Sequence, residues 1–215
     1  MRTVLSLTAC LTACLTLAAC ANEGEPIAVE VDQADIQAER VAECAAASAP
    51  STNRAAIRLR NAAGGFCSGV LFTQQRIATA GHCVKGISQM IAEIDDHDYF
   101  ARVVWAGGPG GEDVAVLELS SPLASAAPAT VALHSVEPME PLTIVGYGCS
   151  GGGAQMERPT HRRWGERAQT TEYVGAGCTC PGDSGSPVFN AAGDLVAVNW
   201  AAGHPGLIDA GLLLN

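Results

Sequence analysis

From Ala55 onward the chain breaks into short apolar runs separated by Gly, Pro, Asn and Asp. The runs are "AAIRLR", "GVLFTQQRIATA", "ARVVWA", "DVAVLEL", "ATVAL", "PLTIVGYG", "SPVFN" and "DLVAVNWA". Their length and β-branched content predict strands. A helical period is sustained only around "ADIQAERVAEC", ahead of the strands. "GPGGED" and "CSGGGAQMERPTHRRWGERAQ" read as loops, and no repeat of solenoid period occurs. Helical crossovers between the strands are missing, so one all-β domain of two barrels fits the pattern better than a parallel α/β sheet.

Composition supports this. Hydrophobic residues make up 48% of the chain and aromatics only 5%, so Val, Leu, Ile and Ala must fill the core. With 24 Gly and 11 Pro the chain is rich in turns. The formal charge of −10, with no basic stripe, excludes nucleic acid as a partner and polybasic attachment to a membrane.

The N-terminus has a different character. "MRTVLSLTACLTACLTLAAC" carries one Arg, then an apolar run, then small residues, the layout of a secretory signal. Its ending, Leu17 to Cys20, resembles the bacterial lipoprotein box, in which the signal is cut before the Cys and that Cys takes the lipid. The resemblance implies a signal over residues 1–19 and a membrane anchor through lipid on Cys20; an ordinary secretory signal is the alternative. Residues 20–52, rich in Ala, Glu, Asp and Ser, read as a tether or propeptide. Of the nine cysteines, Cys10 and Cys14 then fall in the signal and Cys20 at its end. Cys44, Cys67, Cys83, Cys149, Cys178 and Cys180 remain, an even number that in an exported protein implies disulfides. No pair of C-x-x-C units exists, so zinc is not expected.

Three segments carry candidate chemistry. "ATAGHCV" puts His82 on a turn leaving a strand, "GGEDVAVLEL" puts Asp113 at the start of one, and "CPGDSGSPVF" puts Ser184 in a Gly-rich turn before another. A serine hydroxyl is a poor nucleophile at neutral pH and needs an adjacent base, itself oriented by a third group. The chain order His–Asp–Ser differs from that of the subtilisins and the α/β-hydrolases, and Ser186 breaks the esterase pattern G-x-S-x-G.

On these blocks the sequence resembles the trypsin/chymotrypsin-like serine protease family, in its bacterial form. "TAGHC", "EDVAVLEL" and "GDSGSP" match the family's histidine, aspartate and serine blocks. "VGYG" and "VNWAAG" stand in place of its G-W-G and S-W-G. The resemblance implies two packed six-stranded antiparallel β-barrels and cleavage of peptide bonds by His82, Asp113 and Ser184, with no cofactor or metal. The backbone N–H groups of Gly182 and Ser184 would form the oxyanion hole.

The resemblance also implies a Cys67–Cys83 disulfide. Cys180 lacks the family's usual partner, because no cysteine follows Ser184. Cys149 is then expected to bond Cys180 or Cys178, with Cys44 taking the other. Cys178 occupies the floor of the implied substrate pocket, beside Thr179, with Asn199, Trp200 and Ala201 as one wall and Gly206 as part of another. No carboxylate stands there to meet Lys or Arg, so a small or apolar side chain is expected before the cut bond. The family's C-terminal helix is expected to be short or absent. Cutting at Arg40–Val41 would free an amine to pair with Asp183, against the alternative of an unprocessed tether. "EIDDHDY" reads as a solvated acidic loop. The competing function is a binding module on the same fold, catalytically weak or inactive.

Overall fold

The structure, a computed structural model, describes residues 33–107, 113–133, 136–162, 175–201 and 204–207. The signal, Cys20 and the C-terminal "IDAGLLLN" lie outside them, so the expectations for the lipid anchor and the C-terminal helix do too. Among the described residues no helix is long and apolar enough to cross a membrane.

Helix α1 (Gln33–Ala46) covers the segment whose periodicity predicted it, and β1 (Ala49–Pro50) follows. The first half of the body is a closed barrel of six strands: β2 (Ala56–Arg60), β3 (Phe66–Leu71), β4 (Arg76–Ala80), β5 (Gln89–Ile94), β6 (His97–Ala106) and β7 (Val114–Leu119). The second half is a sheet of seven strands. Its path runs from β1 through β9 (Met156–Arg162), β8 (Pro141–Gly146), β11 (Pro187–Asn190) and β12 (Leu195–Ala201) to β13 (His204–Leu207), while β10 (Gly175–Gly177) pairs with β9 alone. All named strand pairs are antiparallel. The seventh strand is β1, which the N-terminal segment adds to β9 at the sheet's edge.

Strand pattern follows from what each face meets. On β2, Ile57 and Leu59 point into the barrel core while Arg58 and Arg60 alternate outward. Arg58 lies opposite Glu93 of β5 and pairs with it, and Arg60 bonds both Glu93 and Asp98. The largely buried runs of β3, β4 and β7 have a different cause, because both of their faces are covered. One face fills the barrel; from the other, Val70, Ala78 and Val116 pack against Val145, Phe189, Leu195 and Val198 of the second sheet. That shared layer fixes the two halves against each other and sets the seam across which the functional residues meet.

Three readings of the sequence change here. "EIDDHDY" is no free acidic loop but the β5–β6 hairpin, turning on Asp95 and Asp96 at φ 50° and 62°. Glu93, Asp95 and Asp98 pair with arginines, and the hydrogen bond from Arg54 holds the Asp95 carboxyl below its ordinary range. "ATVAL" makes a single bridge, Val131 to Leu195, rather than a strand. In the stretch read as one long loop, residues 156–162 form β9, which pairs with β8 from Met156 to His161.

Candidate active site

Strand register brings His82 and Asp113 together. Strands β4 and β7 are antiparallel neighbours, with Ala80 opposite Val114. The chain leaving β4 therefore emerges beside the chain entering β7. It turns at once into a short 3-10 helix, Gly81–Val84, that carries His82. The Gly81 N–H donates to the Asp113 carbonyl (2.9 Å), and a Cβ on Gly81 would lie 2.7 Å from Asp113 Oδ1. A side chain at position 81 would crowd the Asp113 carboxylate, and glycine leaves it room. The Cys67–Cys83 disulfide, expected from the resemblance, then ties this turn to β3.

Both carboxylate oxygens of Asp113 are used. Oδ1 accepts from the His82 backbone N–H (2.7 Å) and Oδ2 lies 2.6 Å from Nδ1 of the ring. A carboxylate can only accept, so the neutral ring carries its proton on Nδ1 and presents Nε2 as the acceptor. Ser184 Oγ lies 2.8 Å from that Nε2. The arrangement can pass a proton from the hydroxyl to the imidazole while the carboxylate holds the ring and its later charge.

Ser184 stands in a turn before β11, and both halves of the fold hold it. From the second sheet, Gly185 N–H donates to Asn199 O (2.6 Å) and Asn199 N–H to Ser186 O (2.8 Å). From the barrel, Ser68 N–H donates to Ser184 O (2.8 Å). Gly182 has φ +98°, a conformation natural only to glycine, and a Cβ there would lie 2.0 Å from the Phe66 ring. Among the described residues, the N–H groups of Gly182 and Ser184 donate to no protein acceptor. These are the two N–H groups that the resemblance assigns to the oxyanion.

Asp183, between them, is fully buried and fully engaged. Oδ1 accepts from Gly148 N–H (2.9 Å), Oδ2 accepts from Cys180 N–H (2.8 Å), and Arg158 Nη2 lies 2.8 Å from Oδ2. Arg158 is itself buried, at 1% exposure, and its Nε donates to the Cys178 carbonyl (3.2 Å). In the uncut chain the cation beside this carboxylate is thus a side chain of the folded body rather than the Val41 amine that a cut after Arg40 would free. Val41 lies inside α1. The sequence offered no signal for Arg158, since an arginine between Glu and Pro reads as surface.

The remaining disulfides are Cys149–Cys180 and Cys44–Cys178. The first braces the turn around Asp183. The second bonds α1 to the segment just ahead of the nucleophile. Cys178 and Thr179 are half-buried there. Asn199 is fully buried, and its Nδ2 donates to the Asp183 carbonyl (3.0 Å). It props the serine turn rather than lining open space. Trp200 is half-buried, Ala201 ends β12, and Gly206 lies on β13 opposite Val198.

A family model, the Trypsin-like peptidase domain, matches residues 67–198, more than half of the chain. No curated protein sequence matches. Among solved structures, the active form of the Rv3671c protease from M. tuberculosis is similar, at 19% identity and TM-score 0.63, covering 85% of this chain and 84% of that one. A Glu endopeptidase is similar at 17% identity and TM-score 0.63, over 78% of this chain and 94% of its own. The serine endoprotease from Yersinia pestis matches at 18% identity and TM-score 0.60, over 81% of this chain and 64% of its own. At these identities the likeness speaks for the fold, the mostly β, two-part architecture of chymotrypsin-like proteins. With the family model spanning the histidine, aspartate and serine segments, this chain belongs to the trypsin-like peptidase family.

Proposed function

We infer that the chain is a serine endopeptidase that cuts peptide bonds through an acyl-enzyme. The observation that carries this reading is the relay from Ser184 Oγ to His82 Nε2 and from His82 Nδ1 to Asp113, at 2.8 and 2.6 Å. Ser184 Oγ attacks the peptide carbonyl as His82 takes its proton. The resulting oxyanion is met by the N–H groups of Gly182 and Ser184. As the tetrahedral species collapses, His82 returns the proton to the leaving amine, and Ser184 is left as an ester of the acyl half. Water, deprotonated by the same imidazole, then hydrolyses the ester.

Three finer points belong to the proposal. With Cys178 rather than a carboxylate at the implied pocket floor, the substrate pocket accepts small or apolar side chains rather than Lys or Arg. Arg158 fills the place an N-terminal amine would take beside Asp183, so activity needs no cut at Arg40. The enzyme is exported and held at the bacterial envelope by lipid on Cys20. A fluorophosphonate probe, which phosphonylates only an activated serine, tests the central step. Labelling of the wild type that disappears in Ser184→Ala carries the reading. A folded wild type that never labels supports the binding module instead.

A further inference from the structure

The geometry points to Ser68 as a positioning residue for the oxyanion turn, a role that rests on the serine-peptidase reading above. Ser68 lies on β3, in the barrel, and is completely buried. Its hydroxyl makes two bonds into the second half of the fold. Oγ donates to the Gly182 carbonyl (3.0 Å) and accepts from the Tyr147 N–H (3.1 Å). Its backbone N–H donates to the Ser184 carbonyl (2.8 Å), and its own carbonyl accepts from Thr79 Oγ1 (2.7 Å).

One residue therefore holds the carbonyls of both Gly182 and Ser184, the two residues whose N–H groups would receive the oxyanion. The Gly182 carbonyl belongs to the peptide that links Gly182 to Asp183. Fixing it limits rotation about Gly182 ψ, which φ +98° and the absent Cβ leave otherwise unrestrained by sterics. The Phe66 ring of the same strand closes the other side, where a Gly182 Cβ would sit at 2.0 Å. Gly185 is equally confined, since a Cβ there would lie 2.0 Å from the Ser68 carbonyl oxygen. The Phe66–Ser68 stretch of β3 is thus a cradle for the turn from Gly182 to Gly185, and the Ser68 hydroxyl is its adjustable contact.

The acceptor side matters as much. Tyr147 immediately precedes Gly148, whose N–H holds Asp183 Oδ1. By taking the Tyr147 N–H and giving its proton to Gly182 O, Ser68 joins the segment that grips Asp183 to the segment that carries the donors. Removing the hydroxyl leaves the Gly182 carbonyl and the Tyr147 N–H without this partner, and the turn that carries the Gly182 and Ser184 N–H groups loses one of its fixings to the barrel.

The test compares the full exported chain with Ser68→Ala, and with the same-shaped pair Ser68→Thr and Ser68→Val, which differ in the hydroxyl alone. Two readouts are used: the second-order rate of fluorophosphonate labelling, and kcat against KM on p-nitrophenyl acetate. Deleting an oxyanion donor outright costs about 10²–10³ in kcat, so Ser68→Ala, acting indirectly, is expected to lose roughly ten- to a hundredfold in kcat and labelling rate with KM unchanged. Ser68→Thr recovers most of that rate and Ser68→Val does not. If Ser68→Ala fails to fold, the Thr/Val pair decides alone. Wild-type rates in Ser68→Ala or in Ser68→Val overturn the inference, as does a loss confined to KM. A wild type that does not label overturns the serine-peptidase reading and this inference with it.

Discussion

Replacing Arg158 by Met removes the only cation within bonding distance of the Asp183 carboxylate among the described residues. The pair is buried on both sides, at 1% and 0% exposure, so water cannot compensate the charge left behind. Breaking such a pair from one side costs about 3–5 kcal/mol. A domain of this size has about 5–15 kcal/mol in total, so the variant should keep its fold only narrowly. At about 2–4 °C per kcal/mol, the thermal midpoint should fall by roughly 6–20 °C. Two backbone donors, Gly148 N–H and Cys180 N–H, remain on the carboxylate and soften the loss toward the lower end. The double variant Arg158→Met/Asp183→Asn removes the stranded charge and should recover part of the stability, because the cost lies in the unpaired ion rather than in the missing attraction. Labelling by the fluorophosphonate should fall in the single variant even where it is folded, since Asp183 stands between Gly182 and Ser184, whose N–H groups are proposed to receive the oxyanion. Denaturant unfolding with disulfides intact, followed by tryptophan fluorescence, measures the stability. An Arg158→Met protein within about 1 kcal/mol of wild type, labelling at the wild-type rate, would mean that the buried pair neither stabilises the fold nor holds the serine turn.

Two further outcomes are expected. The Cys44–Cys178 bond closes a loop of 134 residues, so Cys44→Ser/Cys178→Ser should lose roughly 2–5 kcal/mol and free α1 to protease attack; an unchanged melt and digestion pattern would contradict this. Metabolic labelling with palmitate should mark the wild type and vanish in Cys20→Ser, whereas an unlabelled, freely secreted wild type would remove the envelope anchor from the account.

What the sequence made legible was whatever is local. His82, Asp113 and Ser184 each sit in a short block whose turn or strand context is written in its own residues, and the register of β4 on β7 then brings the first two together. The helix of α1 was visible in its period. The groups that hold the site were not visible, because their meaning lies in long-range contacts. Arg158 stands at an interior-facing position of β9 in a stretch rich in Gly and Arg, which masks its strand. Its value comes from Asp183, far along the chain. Ser68 looks like any small residue after a cysteine until Gly182 is placed above it. Asn199 reads as a pocket wall by position, yet its amide is spent on Asp183. Cysteine pairing was legible in part, as the alternatives for Cys149 and Cys44 could be reduced but only the fold separates Cys178 from Cys180.

The central claim is that Ser184 is a nucleophile activated by His82. Fluorophosphonate labelling of the purified exported chain, followed by mass spectrometry of the labelled peptide, tests it most directly. One adduct is expected, on the peptide containing Ser184, absent in Ser184→Ala and slowed by several orders of magnitude in His82→Ala. No adduct on folded wild-type protein, or an adduct that persists in Ser184→Ala, would contradict it.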